Sequence, residues 1–416
     1  MMKKLKLTAL LAASLLLVSC GSLHVKAADL TAGYTPRQTE EHRLTPEFAS
    51  GQTTFALSLL QKTAEARPDD NLLISPYSMM QALAMTANGA AGRTGAQMTQ
   101  VLSGGRPLSE LNADLCCWRK AQPDTEGCRL KTANSIWFRD SSGFHVHPEF
   151  LQTNADYYGA AAYAAPFDGS TVRDINRWVS HATDGMIPEL LDDLQDGNRE
   201  DMMLMINAVT FDARWETRCK KEDQVKNSIF RAADGTEQSV TMLRTRESRW
   251  FCCEGGQGFL KPYQASYDFA AILPDEGTTP LQLLQSLTPD TLLTVLTKPE
   301  PCSVETMMPV FRYEDSNRFE ETLIAMGMAD AFTSSADFSG ITDSTPLQIT
   351  EILQKTQIIL DADGTKAGAA SSVRGSKSAG PPQQIKKVIL DRPFVYLITD
   401  RETGIPVFAG ILQSVS

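Results

Sequence analysis

Catalysis by side chains needs a nucleophile, a base and an orienting group within hydrogen-bond reach, so the supply of histidine is a first constraint. The 416-residue chain has five: His24, His42, His145, His147 and His181. None stands in a G-x-S-x-G elbow or an H-E-x-x-H pair, and there is no P-loop. His145 and His147 alternate and would share one face of a strand. No third ligand is indicated nearby, so no metal is expected. Asp192-Asp193 lies in polar sequence and reads as solvated charge. Setting Cys20 aside, seven cysteines remain: Cys116, Cys117, Cys128, Cys219, Cys252, Cys253 and Cys302. Their odd number, two adjacent pairs and lack of a C-x-x-C pair favour buried free thiols, with a Cys116–Cys128 bridge left open. These residues support neither an enzyme nor a cofactor.

The segment that stands out is Gly364 to Pro382. It follows an apolar, extended stretch, Leu347 to Leu360, and is built almost wholly of Ala, Ser and Gly. Such a run buries little, and a flexible linker is one reading of it. The other is a strand. Thr365, Ala367, Ala369, Ser371, Val373 and Gly375 are small or uncharged, while Lys366 and Arg374 both fall in the intervening set. That is the period of a strand with one buried and one wet face.

The elements around it read as α+β. Pro46 to Ala66 is a helix with Phe48, Phe55 and Leu59 on one face. Asn71 to Ser75 is a short strand leading into a helix that starts at Pro76 and ends at Asn88-Gly89. Thr94 to Leu102 is another helix. Strands are expected at Thr132–Phe138, Met202–Phe211, Asp268–Leu273 and Val304–Val310. A C-terminal hairpin joins Val395–Thr399 to Pro406–Leu412 through Thr403-Gly404. Helices dominate the first half and strands the second, unlike a βαβ repeat. With no linker or internal repeat, residues 45–416 are expected to form one large domain. The net charge of −11 argues against a nucleic-acid partner.

The N-terminus combines Lys3, Lys4 and Lys6 with an apolar run from Leu7 to Val18, the layout of a secretory leader. Val18-Ser19-Cys20-Gly21 resembles the lipobox of bacterial lipoproteins. The resemblance implies cleavage after residue 19, acylation of Cys20 and an exported, membrane-anchored protein. An ordinary leader with a chance cysteine is the alternative. Residues 20–44 then read as a polar tether.

Seven separated motifs, in order, resemble the serpin family from about Pro46 to the C-terminus. They are Asn71-Leu-Leu-Ile-Ser-Pro-Tyr-Ser78, Ala82–Leu102, Asn176–Ile187, Ile206-Asn207-Ala208 through Trp215, Ile272–Gly277, Gly327–Phe332 and Arg392–Gly410. The resemblance implies an α+β domain with a large central sheet and an exposed reactive loop at about 362–382. It implies suicide-type inhibition of serine proteases, possible also for cysteine proteases: the attacked loop inserts into the sheet as a new strand while still joined to the enzyme. A non-inhibitory surface binding protein of the same fold is the alternative. On this reading Gly364, Thr365, Ala367, Gly368, Ala369 and Ala370 form the hinge, and Trp215 stands at the sheet's opening. Ser75, Ser78, Asn207 and Gln354 form a polar network beneath the sheet. Family spacing places the cut at Ser378–Ala379, for an elastase-like pocket, or at Lys377–Ser378, for a trypsin-like one. The partner is then the protease, with the inhibitor a monomer. Two positions depart from the family pattern: Ala362 stands where an acid is common, and Gln354 where a His is usual.

Overall fold

The computed structural model describes residues 25–39, 42–194, 202–344, 346–365 and 385–415. Among them lie nine α-helices: α1 (Pro46–Ala66), α2 (Pro76–Ala87), α3 (Gly92–Ser103), α4 (Leu108–Ala121), α5 (Pro148–Tyr157), α6 (Gly169–Ala182), α7 (Pro280–Ser286), α8 (Pro289–Thr297) and α9 (Glu320–Met326). The strands form two sheets. The first runs, edge to edge, β1 (Ala28–Asp29), β5 (Ala161–Ala165), β4 (Cys128–Arg139), β6 (Met202–Arg214), β14 (Gly364–Thr365), β13 (Gln348–Leu360) and β12 (Phe311–Arg318), with β3 (Asp124–Thr125) paired to β4. The second runs β15 (Lys386–Ile389), β11 (Glu300–Pro309), β8 (Glu237–Cys253), β9 (Gly256–Pro262), β10 (Tyr267–Pro274), β16 (Phe394–Asp400), β17 (Pro406–Leu412) and β2 (Leu72–Ile74), with β7 (Gln224–Arg231) paired to β8.

Local chemistry accounts for the elements that matter to function. Thr45 caps α1 by accepting from the Phe48 amide, and Pro46 fits the first turn, where its missing N–H costs nothing. Ser75 caps α2 in the same way, through the Ser78 amide. All twelve residues of α2 are buried, so this helix runs inside the molecule. In β6, Met203, Met205 and Val209 join the large core, while Leu204, Ile206 and Ala208 join a smaller one beneath α6. Both faces are covered, which explains a nearly unbroken apolar run. Ile175 and Val179 of α6 are fully buried on that second face, each contributing about 1.5–3 kcal/mol.

The strands expected from apolar runs are present, most of them extended by one to four residues at an end. Strands β7, β8 and β9 were not anticipated. In β8 charged and apolar residues alternate over a half-exposed surface, so no apolar run marks it. The thiols differ in part from expectation. All seven cysteines in the described residues are unpaired, Cys116 and Cys128 included, but Cys252 is exposed and Cys117 and Cys253 are only half-buried. Among the described residues no helix is long and apolar enough to cross a membrane.

Candidate functional site

Strands β6 and β13 change partners along their length. From Gln348 opposite Met202 to Lys355 opposite Ala208 they run parallel and pair directly. Beyond Ala208 this pairing stops, and β14 stands between them at the far end. Gly364 faces Arg214, and Thr365 faces Ala213 on one side and Leu360 on the other. The sheet is zipped at one end and holds a slot at the other, into which two residues have entered.

The entry is shaped for small residues. Gly364 has φ +152°, and a Cβ there would lie 2.1 Å from the Ala213 carbonyl oxygen. Thr365 is buried, and its Oγ1 lies 2.6 Å from the Tyr263 hydroxyl. Burial pushes that phenol well above its ordinary value and keeps it protonated. Tyr263 stacks on Trp215, with ring centroids 4.3 Å apart. Trp215 holds the residues before the slot twice: its Nε1 donates to the Asp361 carbonyl and its amide to the Asp363 carbonyl, both at 2.9 Å. The Cys219 amide donates to the Ala362 carbonyl. Under Trp215 lies Lys261, 5.1 Å from the ring centroid and paired with Glu247 at 2.9 Å.

Where the slot meets the zipped part, a row of amides crosses three strands. Asn134 of β4 and Gln354 of β13 both stand opposite Asn207 of β6. Gln354 Nε2 donates to Asn207 Oδ1 at 2.6 Å and to the Ser75 carbonyl at 3.1 Å, while its Oε1 accepts from the Ser75 amide at 2.8 Å. Asn207 Nδ2 donates to the Ser78 carbonyl at 2.9 Å and to Asn134 Oδ1, with Ser78 Oγ 2.6 Å away. Ser75 Oγ donates to the Val407 carbonyl. All five residues are buried. The row ties both sheet strands to the start of α2, and separating β6 from β13 must break the Gln354–Asn207 bond.

A family model described as serpin (serine protease inhibitor) matches residues 50–414. The chain belongs to the serpin family. Its fold is the serpin fold, of α+β class. The chain resembles the crystal structure of a thermophilic serpin, tengpin, in the native state, with TM-score 0.87, 39% identity, and coverage of 94% of this chain and all of that one. Against the latent state of tengpin the TM-score is 0.77 at 35% identity, covering 91% of this chain and all of that one. The leukocyte elastase inhibitor of Bos taurus is 29% identical over 88% of this chain and 99% of its own. The better match to a native-state serpin agrees with a slot only two residues deep.

Of the residues singled out in the sequence, the structure brings Ser75, Ser78, Asn207 and Gln354 into one network and sets Trp215, Gly364 and Thr365 around the slot. Cys20, Ala367, Gly368, Ala369, Ala370, Lys377, Ser378 and Ala379 lie outside the described residues. Asn134 and Tyr263 were missed. Asn134 carried a signal, an amide inside an apolar strand, whereas nothing near Tyr263 announces Thr365. Ala362, at the position where the family pattern favours an acid, is followed by Asp363, whose Oδ1 lies 3.5 Å from Arg218 Nη1. His147 Nε2 meets Asp343 at 3.2 Å, and His145 Nδ1 meets Ser344 Oγ at 2.7 Å. No group of three or more His, Cys, Asp or Glu among the described residues could hold a metal ion.

Proposed function

We propose that this serpin is a suicide-type inhibitor of serine endopeptidases whose cleaved loop inserts between β6 and β13. The observation that carries the reading is β14, two loop residues already paired in the slot. Its antiparallel register, continued along β6, would set Ser371 opposite Asn207 and Ser376 opposite Met202, the first residue of the strand. Residues 367, 369, 371, 373 and 375 would then face the large core as Thr365 does, and the two charges, Lys366 and Arg374, would face the other way. Bulky or charged residues on the inward side would clash or lose hydration. The bond after Lys377 or Ser378 would sit just past the strand's end. For the 13 residues of β6, at about 3.3 Å each, an attached protease is carried about 40 Å. Carried that far while still joined to the loop, the protease would be distorted before it can deacylate.

Incubation with elastase-like and trypsin-like enzymes, then a denaturing gel, tests the proposal. A covalent complex is expected, and the mass of the released C-terminal peptide identifies the bond. A start at Ser378 or Ala379 is expected, whereas a start at Gly375 sinks both assignments. Cleavage without any complex across a broad panel, cysteine proteases included, would favour a non-inhibitory binding protein. The leader motif supports export and lipid attachment at Cys20, with the inhibitor acting as a monomer at the cell surface. Loss of fatty-acid labelling and of membrane sedimentation in Cys20→Ala is the expected check.

A further inference from the structure

A cleft of about 720 Å³ opens beside the slot, lined on one side by the segment after Trp215 and on the other by β8, β11 and β15. Its charges do not cancel. Lys261 on its floor is spent on Glu247, and Arg246 on Glu305 at 2.9 Å. Glu216 lies 3.6 Å from Arg401, whereas Asp223 accepts only from the Lys220 amide and keeps its charge, one acid against the cations that follow. Arg244 and Lys387 are exposed and have no ion-pair partner among the described residues. Arg218 contributes a third cation. Among the described residues its Nε is buried without a hydrogen-bond partner, and its only carboxylate contact is the loose one to Asp363, at 3.5 Å. Three cations with spare donors therefore converge on one cleft of a protein whose net charge is −11.

We propose that this cleft binds a small dianion, a phosphomonoester or a dicarboxylate, held by Arg218, Arg244 and Lys387, and that the occupant competes with Asp363 for Arg218. Guanidinium groups match the paired oxygens of phosphate and carboxylate alike, and an ammonium adds a point charge. The coupling follows from connectivity. Asp363 sits one residue before the slot and is held there through Trp215 and Arg218, so withdrawing Arg218 loosens the entry of Gly364 and Thr365. Linkage is reciprocal: the ligand biases the entry, and the entry biases the ligand. The site makes no use of protease trapping.

Calorimetric titration of the full chain with phenyl phosphate and with succinate, at constant ionic strength, tests this without any protease. Saturable one-to-one binding of either probe is expected, and the probe that binds names the chemistry. The double variant Arg244→Ser/Lys387→Ser, altered only at exposed side chains, is expected to keep its melting temperature and to bind about tenfold or more weakly. Asp363→Asn, which removes the competitor, is expected to bind about threefold or more tightly. No saturable heat from either probe up to about 20 mM, or equal affinity in the double variant, would overturn the site. Unchanged affinity in Asp363→Asn would overturn its link to the slot.

Discussion

Gly364 and Thr365 divide the work of entering the sheet. Gly364 supplies an approach that no Cβ allows, with the Ala213 carbonyl 2.1 Å from where one would stand. Gly364→Ala should therefore leave the slot, destabilise the protein by about 1–3 kcal/mol and shift reactions with protease from covalent complex towards cleaved product. Thermal unfolding and the complex-to-cleaved ratio on a gel are the measurements. Thr365 supplies the anchor, so Tyr263→Phe should lower stability by about 1 kcal/mol while keeping the Trp215 stack. Asn207→Ala strips partners from Asn134 and Gln354 in a buried row. A loss of about 1–3 kcal/mol is expected, with faster polymer formation on warming seen by native gel. Unaltered melting and no polymers would refute it. At this scale the sequence was legible wherever a motif carries its own neighbours, as around Ser75, Asn207 and Trp215. It was silent where the contact joins distant segments, as for Tyr263 with Thr365 or Arg218 with Asp363.

Elements were readable in proportion to how completely they are buried. Helix α1 has a cap, a proline start and an apolar face, and its limits follow from them. The pairing of β6 with β13 is different in kind. Two apolar strands announce themselves, but nothing in either says that they pair directly as far as Ala208 and then part. At the far end the partner of both is β14, a strand of two residues. The contact of α9 with β13 gives a pH signature. Glu320 Oε1 accepts from the Ile352 amide at 2.7 Å, and burial, with Glu351 adding to it, raises the carboxyl above its ordinary value. A raised value means that the fold favours the protonated form. The stability tied to this group is complete at low pH and is lost as pH rises through the raised value. Glu320→Gln keeps the accepting oxygen and removes the charge. Its melting temperature should rise by about 1–2 °C at pH 7 and stay unchanged near pH 4.

For the whole molecule, the family could be read from seven motifs spread over the chain, because each repeats a local packing need. The order of strands in the two sheets could not, since β2 closes one sheet some 330 residues before its neighbour β17. On the proposed mechanism the described state, with half of the first sheet zipped, is kinetically held. About a dozen further backbone hydrogen bonds, at about 1 kcal/mol each, are available to a full-length inserted strand. Cleavage in the loop should raise the melting temperature by about 20 °C or more, read by scanning calorimetry on the nicked chain. An unchanged transition would mean that the strand does not insert.

Cys219 gives the slot a chemical reporter. Its thiol is buried, and burial pushes it up to about 11, so an alkylating reagent finds little thiolate there. Yet its own amide holds the Ala362 carbonyl, two residues from Gly364. Cys252, exposed on β8, offers an accessible internal standard in the same chain. The ratio of labelling at the two thiols, read by mass spectrometry, would follow the movement of the loop root in unmodified protein, with no fluorophore added and no residue changed.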